Sequence, residues 1–163
     1  MTNDGARSYL AALDMAPGTE LGASDWHEIT QEDIDAFAKL TRDEDDYHIN
    51  PEFARATSPL GTPISFGFLT MSMLTWFSHQ VFGRAGISAD VDGVQLFNLG
   101  FNRLRFPAPV PVGSFIRGRF TLKGVRTRDN GGVEFTTSVV IEIKDNDRPA
   151  LVGEWLGVAV RTE

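Results

Sequence analysis

Ser65-Phe66-Gly67-Phe68-Leu69-Thr70-Met71-Ser72-Met73-Leu74-Thr75-Trp76-Phe77-Ser78-His79-Gln80-Val81-Phe82 contains not one Asp, Glu, Lys or Arg. Its large apolar residues (Leu69, Met71, Met73, Leu74, Trp76, Phe77, Val81 and Phe82) fall on every side of a helical wheel. A helix that is apolar all round is expected to be buried on most of its sides. Gly83 supplies the expected stop at its C-terminus. Such a helix has to be wrapped by something, so the rest of the chain must provide the wrapping.

Downstream of Gly86 the period changes from helix to strand. Val94 to Phe106 reads as a strand interrupted by Gly100, and Pro107, Pro109 and Pro111 follow as a stiff connector. In Phe115 to Arg126, Ile116, Gly118, Phe120 and Leu122 alternate with Arg117, Arg119, Thr121 and Lys123. Asp129-Asn130-Gly131-Gly132 is a strong hairpin turn. Val133 to Lys144 then sets Val133, Phe135, Thr137, Val139, Ile141 and Ile143 on one face. Asp145-Asn146-Asp147 turns the chain again, and Leu151 to Val160 forms the last strand.

Upstream, Thr30 precedes Gln31, Glu32 and Asp33 as in a capping box with Asp in place of Glu. Ile34, Phe37, Ala38 and Thr41 give the helix that follows one apolar face, ending near Thr41 or Arg42. Residues 43–63 read as an ordered loop, with Asn50 to Arg55 able to form a short helix that starts on Pro51. Leu21 to Ile29 reads as a short strand anchored by Trp26. Residues 1–18 read as a weakly ordered lead-in, with a helical turn or two in Ala6 to Leu13 broken by Pro17-Gly18. One domain over 19–163 accounts for the remainder. The layout is α+β: a curved antiparallel sheet wrapped around one apolar helix, the hotdog arrangement. Its edge strands and open sheet face invite dimerisation.

Composition bounds what such a domain can do. A chain of 163 residues with 42% apolar residues can bury a full core. Against 15 basic residues stand 22 acidic ones, a net charge of −7, which argues against nucleic acid as the main partner. With no cysteine there is no disulfide, thiolate metal site or cysteine nucleophile. Neither a signal peptide nor a membrane-spanning run is apparent, and the expected location is the cytoplasm.

Phe37-Ala38-Lys39-Leu40-Thr41-Arg42-Asp43-Glu44-Asp45-Asp46-Tyr47-His48-Ile49-Asn50-Pro51 is the segment richest in chemistry. It sets a carboxylate, Asp43, and an imidazole, His48, five positions apart after a helix C-terminus. Two groups of different pKa class on one turn can share a substrate, and they can equally be a solvated acidic turn with one histidine.

The pattern Phe-Ala-x-x-Thr-x-Asp-x4-His resembles the hydratase motif of MaoC-like dehydratases, the (R)-specific enoyl-CoA hydratases. Gly61-Thr62-Pro63-Ile64-Ser65-Phe66-Gly67-Phe68-Leu69-Thr70 is similar to the start of that family's central helix. Asn98 to Ser114, with its Arg103-Leu104-Arg105-Phe106-Pro107-Ala108-Pro109 run, is similar to the strand and proline connector of the NodN-like branch. The resemblance implies that water is added across the C2=C3 bond of a trans-2-enoyl thioester, with Asp43 and His48 as the acid/base pair. It also implies a CoA thioester substrate, no metal or redox cofactor, and a homodimer or dimer of dimers.

Ser65, Phe66 and Gly67 are the residues it implies for substrate positioning. Gly67 matches the family's glycine and is a candidate oxyanion donor, or else allows the helix to pack on the sheet. Ser65 can hold the Asp43 rotamer or cap the helix. Phe66 stands where the family often has histidine, and Asp45, Asp46 and Tyr47 also depart from its pattern. Arg103 and Arg105 contact CoA phosphates or form ordinary salt bridges. His27 reads as structural or surface, and His79 as a core or interface histidine. Glu44 and Asp45 resemble metal ligands only superficially. Two other readings stand beside the hydratase: a hotdog thioesterase and a non-catalytic acyl-thioester binder. The central helix carries no Asp or Glu from Ser65 to Phe82, where such thioesterases commonly place their carboxylate.

Overall fold

The alternation in residues 116–122 has a direct structural result. Ile116, Gly118, Phe120 and Leu122 all turn inward and are buried. The computed structural model describes residues 7–8, 15–85, 87–88, 94–129 and 131–161. Its elements in chain order begin with three short strands, β1 (Arg7–Ser8), β2 (Glu20–Ala23) and β3 (His27–Glu28). Four helices follow: α1 (Gln31–Thr41), α2 (Asp46–Ile49), α3 (Pro51–Thr57) and α4 (Gly67–Arg84). The strands β4 (Ile87–Ser88), β5 (Val94–Arg105), β6 (Phe115–Thr127), β7 (Val133–Ile143) and β8 (Leu151–Arg161) complete the order.

The main sheet runs β2-β6-β7-β8-β5, with β3 also paired to β6, and every pairing in it is antiparallel. It curves around α4, whose Leu69, Leu74, Phe77 and Val81 share the main core with Ile116, Phe120, Val139, Ile141 and Leu151. Gly118 makes the close approach possible: a methyl there would stand 2.9 Å from Cβ of Phe77 and 2.8 Å from the Phe120 ring. This is the α+β hotdog arrangement expected from the pattern. β1 pairs with β4 as a separate parallel ribbon.

Several local expectations need correction. Arg7 and Ser8 form strand rather than helical turn; the other residues of the expected Ala6–Leu13 turn lie outside the described residues. The expected strand over Leu21 to Ile29 is two short ones, β2 and β3; Trp26 between them is 36% exposed, with the Arg117 guanidinium 4.4 Å from its ring centre. Residues 43–63 contain two helices. Asp45 caps α2 by accepting from the Tyr47 N–H at 2.9 Å, and Asn50 caps α3 by accepting from Phe53 N–H at 3.0 Å. Gly83 does not stop α4, which runs through it to Arg84 with Ala85 as C-cap. The helix is also less enclosed than its composition implies. Phe68 is 67% exposed and Trp76 45%, and His79 is exposed rather than in the core.

Candidate active site

The site is built where three helices meet. Thr30 closes the capping box that was read from the sequence: its hydroxyl accepts from Asp33 N–H, and Asp33 Oδ2 accepts from Thr30 N–H at 3.0 Å. Burial pushes the Asp33 carboxyl up, but the Thr30 donors and the charge of His27 together hold it below its usual range. At the other end of α1, Arg42 adopts a left-handed conformation (φ 64°) that turns the chain sharply out of the helix. Asp43 follows at once. Its carboxylate is exposed, and no hydrogen bond joins it to His48 or to any other described residue.

His48 is half-buried and held on both sides. Its Nδ1 lies 2.7 Å from the Ile64 carbonyl oxygen, an acceptor only. Nδ1 therefore carries the hydrogen and donates it, and in the neutral ring Nε2 keeps its lone pair. No described residue bonds Nε2. The ring lies against Phe66, centroids 3.8 Å apart, and Phe66 in turn packs on Phe37 of α1 at 5.3 Å. Phe66 is thus a floor for the imidazole.

The approach to α4 is fixed by the proline connector. Ser65 N–H donates to the Val110 carbonyl at 2.7 Å, Val112 N–H donates to the Pro63 carbonyl at 3.0 Å, and Ile64 bridges Pro111. Ser65 neither caps α4 nor reaches Asp43. It is buried, 3.3 Å from the Phe66 carbonyl and 3.4 Å from the Thr70 hydroxyl, and Phe66 is the N-cap. No side chain caps α4, so its first N–H groups, beginning with that of Gly67, meet no side-chain acceptor. Gly67 lies under Phe106: a methyl on Gly67 would be 3.3 Å from three atoms of that ring. Both of its suggested roles fit this place, at a bare helix terminus and in close packing.

Arg103 and Arg105 are exposed on β5 and form no salt bridge among the described residues, against the ion-pair alternative. Among the described residues the Arg105 side chain donates only to the Leu104 carbonyl, at 2.8 Å, and Arg103 sits at φ 53° beside a bulge. His27 meets Trp76 edge-on at 4.9 Å. The structure thus gathers His48, Ser65, Phe66 and Gly67 at one place. Asp43 stands on the exposed turn before α2, and the arginines stand on β5. One neighbour of His48, Gln31, carries no motif and was missed from sequence.

This arrangement has relatives. Residues 13–143 match the family model described as MaoC like domain. The chain is 42% identical over 145 residues to 3-hydroxyacyl-thioester dehydratase Z of Mycobacterium tuberculosis, covering 89% of this chain and 91% of that one. It is 38% identical over 149 residues to nodulation protein N of Rhizobium leguminosarum bv. viciae, covering 91% and 89%. The crystal structure of the MaoC-like dehydratase from Rhodospirillum rubrum superposes with a TM-score of 0.70 at 18% identity, over 92% of this chain and 96% of that one. A fold of this order and a match over most of the length agree: the chain belongs to the MaoC-like domain family.

Proposed function

We propose that this enzyme of the hydratase/dehydratase class adds water across the C2=C3 bond of a trans-2-enoyl-CoA, giving the (R)-3-hydroxyacyl-CoA, and runs the reverse dehydration. Asp43 and His48 are its acid/base pair. The observation that carries this reading is the anchoring of His48: Nδ1–H is bound to the Ile64 carbonyl, so Nε2, which no described residue bonds, is available as a base. In hydration the pair removes one proton from water. The water oxygen forms its bond to C3, and the C2=C3 π electrons move onto the thioester as an enolate. The enolate then takes a proton at C2 from the pair, and the double bond is consumed with no change of oxidation state. Ser65, Phe66 and Gly67 position the thioester, and the uncapped N–H groups at the start of α4 receive the charge that develops on its oxygen.

Arg103 and Arg105, which form no ion pair among the described residues, suit the phosphates of CoA. We further propose a homodimer or dimer of dimers working in the cytoplasm, without metal or redox cofactor. No helix among the described residues is long and apolar enough to cross a membrane.

The test is loss of enoyl absorbance with trans-2-enoyl-CoAs of graded chain length. Wild type is expected to turn over at least one of them, and Asp43→Asn and His48→Ala are each expected to lower kcat by at least about a hundredfold. Folded variants that keep wild-type rates would overturn the assignment of the pair. A folded wild type inert toward every chain length would overturn the reaction in favour of acyl-thioester binding, or of hydrolysis if free thiol is released.

A further inference from the structure

α2 is a single turn of four residues, Asp46–Ile49. A helix that short is not stable alone, and its last carbonyls have no intrahelical donor. The position of His48 is therefore set by what grips α2 from outside. One grip is the bond from His48 Nδ1 to Ile64, on the ring. Another is on the backbone: the His48 carbonyl accepts from Gln31 Nε2 at 2.9 Å, across 17 residues of sequence. Gln31 opens α1, yet its side chain takes no part in the Thr30–Asp33 capping box.

The orientation of the Gln31 amide is dictated by its partners. Nε2 gives its second hydrogen to Asp35 Oδ1 at 2.8 Å. A carboxylate and a carbonyl both only accept, so the nitrogen must face them. Oε1 is left buried without a partner, the single such side-chain atom among the described residues. Burying an acceptor without a donor costs free energy, so what Gln31 contributes here comes through its nitrogen.

We propose that Gln31 is a positioning residue for His48. It ties α2 to α1 through the His48 carbonyl, so that Nδ1 stays in reach of Ile64 and Nε2 stays presented to the reacting water. This inference rests on the reading of His48 as part of the acid/base pair, and it deepens that reading. It assigns no contact between Gln31 and substrate.

The experiment pairs kinetics with nitrogen spectroscopy of the histidine rings in the full chain. Gln31→Met keeps the length of the side chain and removes both donors. Gln31→Glu keeps the shape and sets an acceptor against two acceptors. Both are expected to lower kcat on a turned-over enoyl-CoA by about tenfold to a hundredfold, with KM within about twofold, because the positioning of His48 rather than substrate binding is lost. In wild type the His48 nitrogens, identified by their loss in His48→Ala, should show the Nδ1–H tautomer. In both Gln31 variants they should shift toward a mixture while His27 and His79 stay unchanged. Unchanged kcat together with unchanged His48 nitrogens, in either variant that folds, would overturn the proposal. A wild type without hydratase activity would sink the reaction assigned above, and the nitrogen spectra would still decide the role of Gln31: shifted His48 signals support it and unshifted ones reject it.

Discussion

At Gly67 the space for a side chain is already spoken for by the Phe106 ring, 3.3 Å from where a methyl would sit. Phe106 is partly exposed and ends in a free ring, so it can yield by a few tenths of an ångström. Gly67→Ala is therefore expected to fold, with a melting temperature within about 4 °C of wild type. Its hydratase rate should fall by about tenfold, because the bare helix terminus and the ring above it both move relative to the thioester. Thermal melting and the enoyl-CoA assay on one preparation check both halves. At this scale the sequence was readable in part. The Asp43–His48 spacing and the glycine at 67 stand out because a motif fixes their positions. Gln31 could not be seen, because its partner lies 17 residues away and nothing in a glutamine at a helix start announces a bond to a distant carbonyl. That Arg103 and Arg105 form no ion pair among the described residues was equally hidden, since pairing depends on which acids the fold brings near.

At the scale of elements, the capping box and the β6–β7 hairpin appeared where the residues put them, because both are local chemistry. α2 was hidden, being too short to show a period. The end of α4 was misplaced for a related reason. Gly83 has no positive φ and lies inside the last turns, and Ala85 rather than a glycine closes the helix. A methyl at 83 would meet nothing within 4 Å. Gly83→Ala should therefore stabilise the protein, by about 0.5–1 kcal/mol, through lower backbone entropy of the unfolded chain. A rise of about 1–4 °C in melting temperature is expected, with enoyl-CoA kinetics unchanged. A fall in melting temperature would mean that the exposed face of α4 at this point is covered in the native assembly.

Over the whole molecule, the residue pattern, alternating in the strands and charge-free in the central helix, was enough to predict the sheet, its inward faces and the helix it wraps. It did not give the strand order β2-β6-β7-β8-β5, which depends on which edges find each other. It also overstated how much of α4 one chain encloses, leaving Phe68 and Trp76 exposed. The sheet exterior is held by charge as well as hydrogen bonds. Glu142 accepts from Arg117 Nε at 2.6 Å and Arg119 Nε at 2.9 Å, and Arg119 also bonds Glu20. Burial pushes the Glu142 carboxyl up, but the two guanidinium groups outweigh it and hold the carboxyl below its usual range. A carboxyl depressed by folding contributes stability that is complete above its unfolded value, about pH 4.3, and is lost as pH falls through the folded value. Melting temperature should therefore drop on acidification below about pH 4.3. Glu142→Gln should cost on the order of 1 kcal/mol at pH 7 and flatten that drop. Equal acid sensitivity in the variant and wild type would assign the effect to other carboxylates.

β5 closes one end of the sheet, and its only partner among the described residues is β8. Its ladder slips twice, between Asn98 and Gly100 and between Asn102 and Arg105, with Arg103 in a left-handed conformation at the second slip. A bare strand edge is a template on which foreign strands can grow. This one is kinked at two points and carries two guanidinium groups, so a flat incoming strand cannot follow it in register. The two slips are therefore expected to hinder fibril growth along that edge in concentrated solutions of the protein.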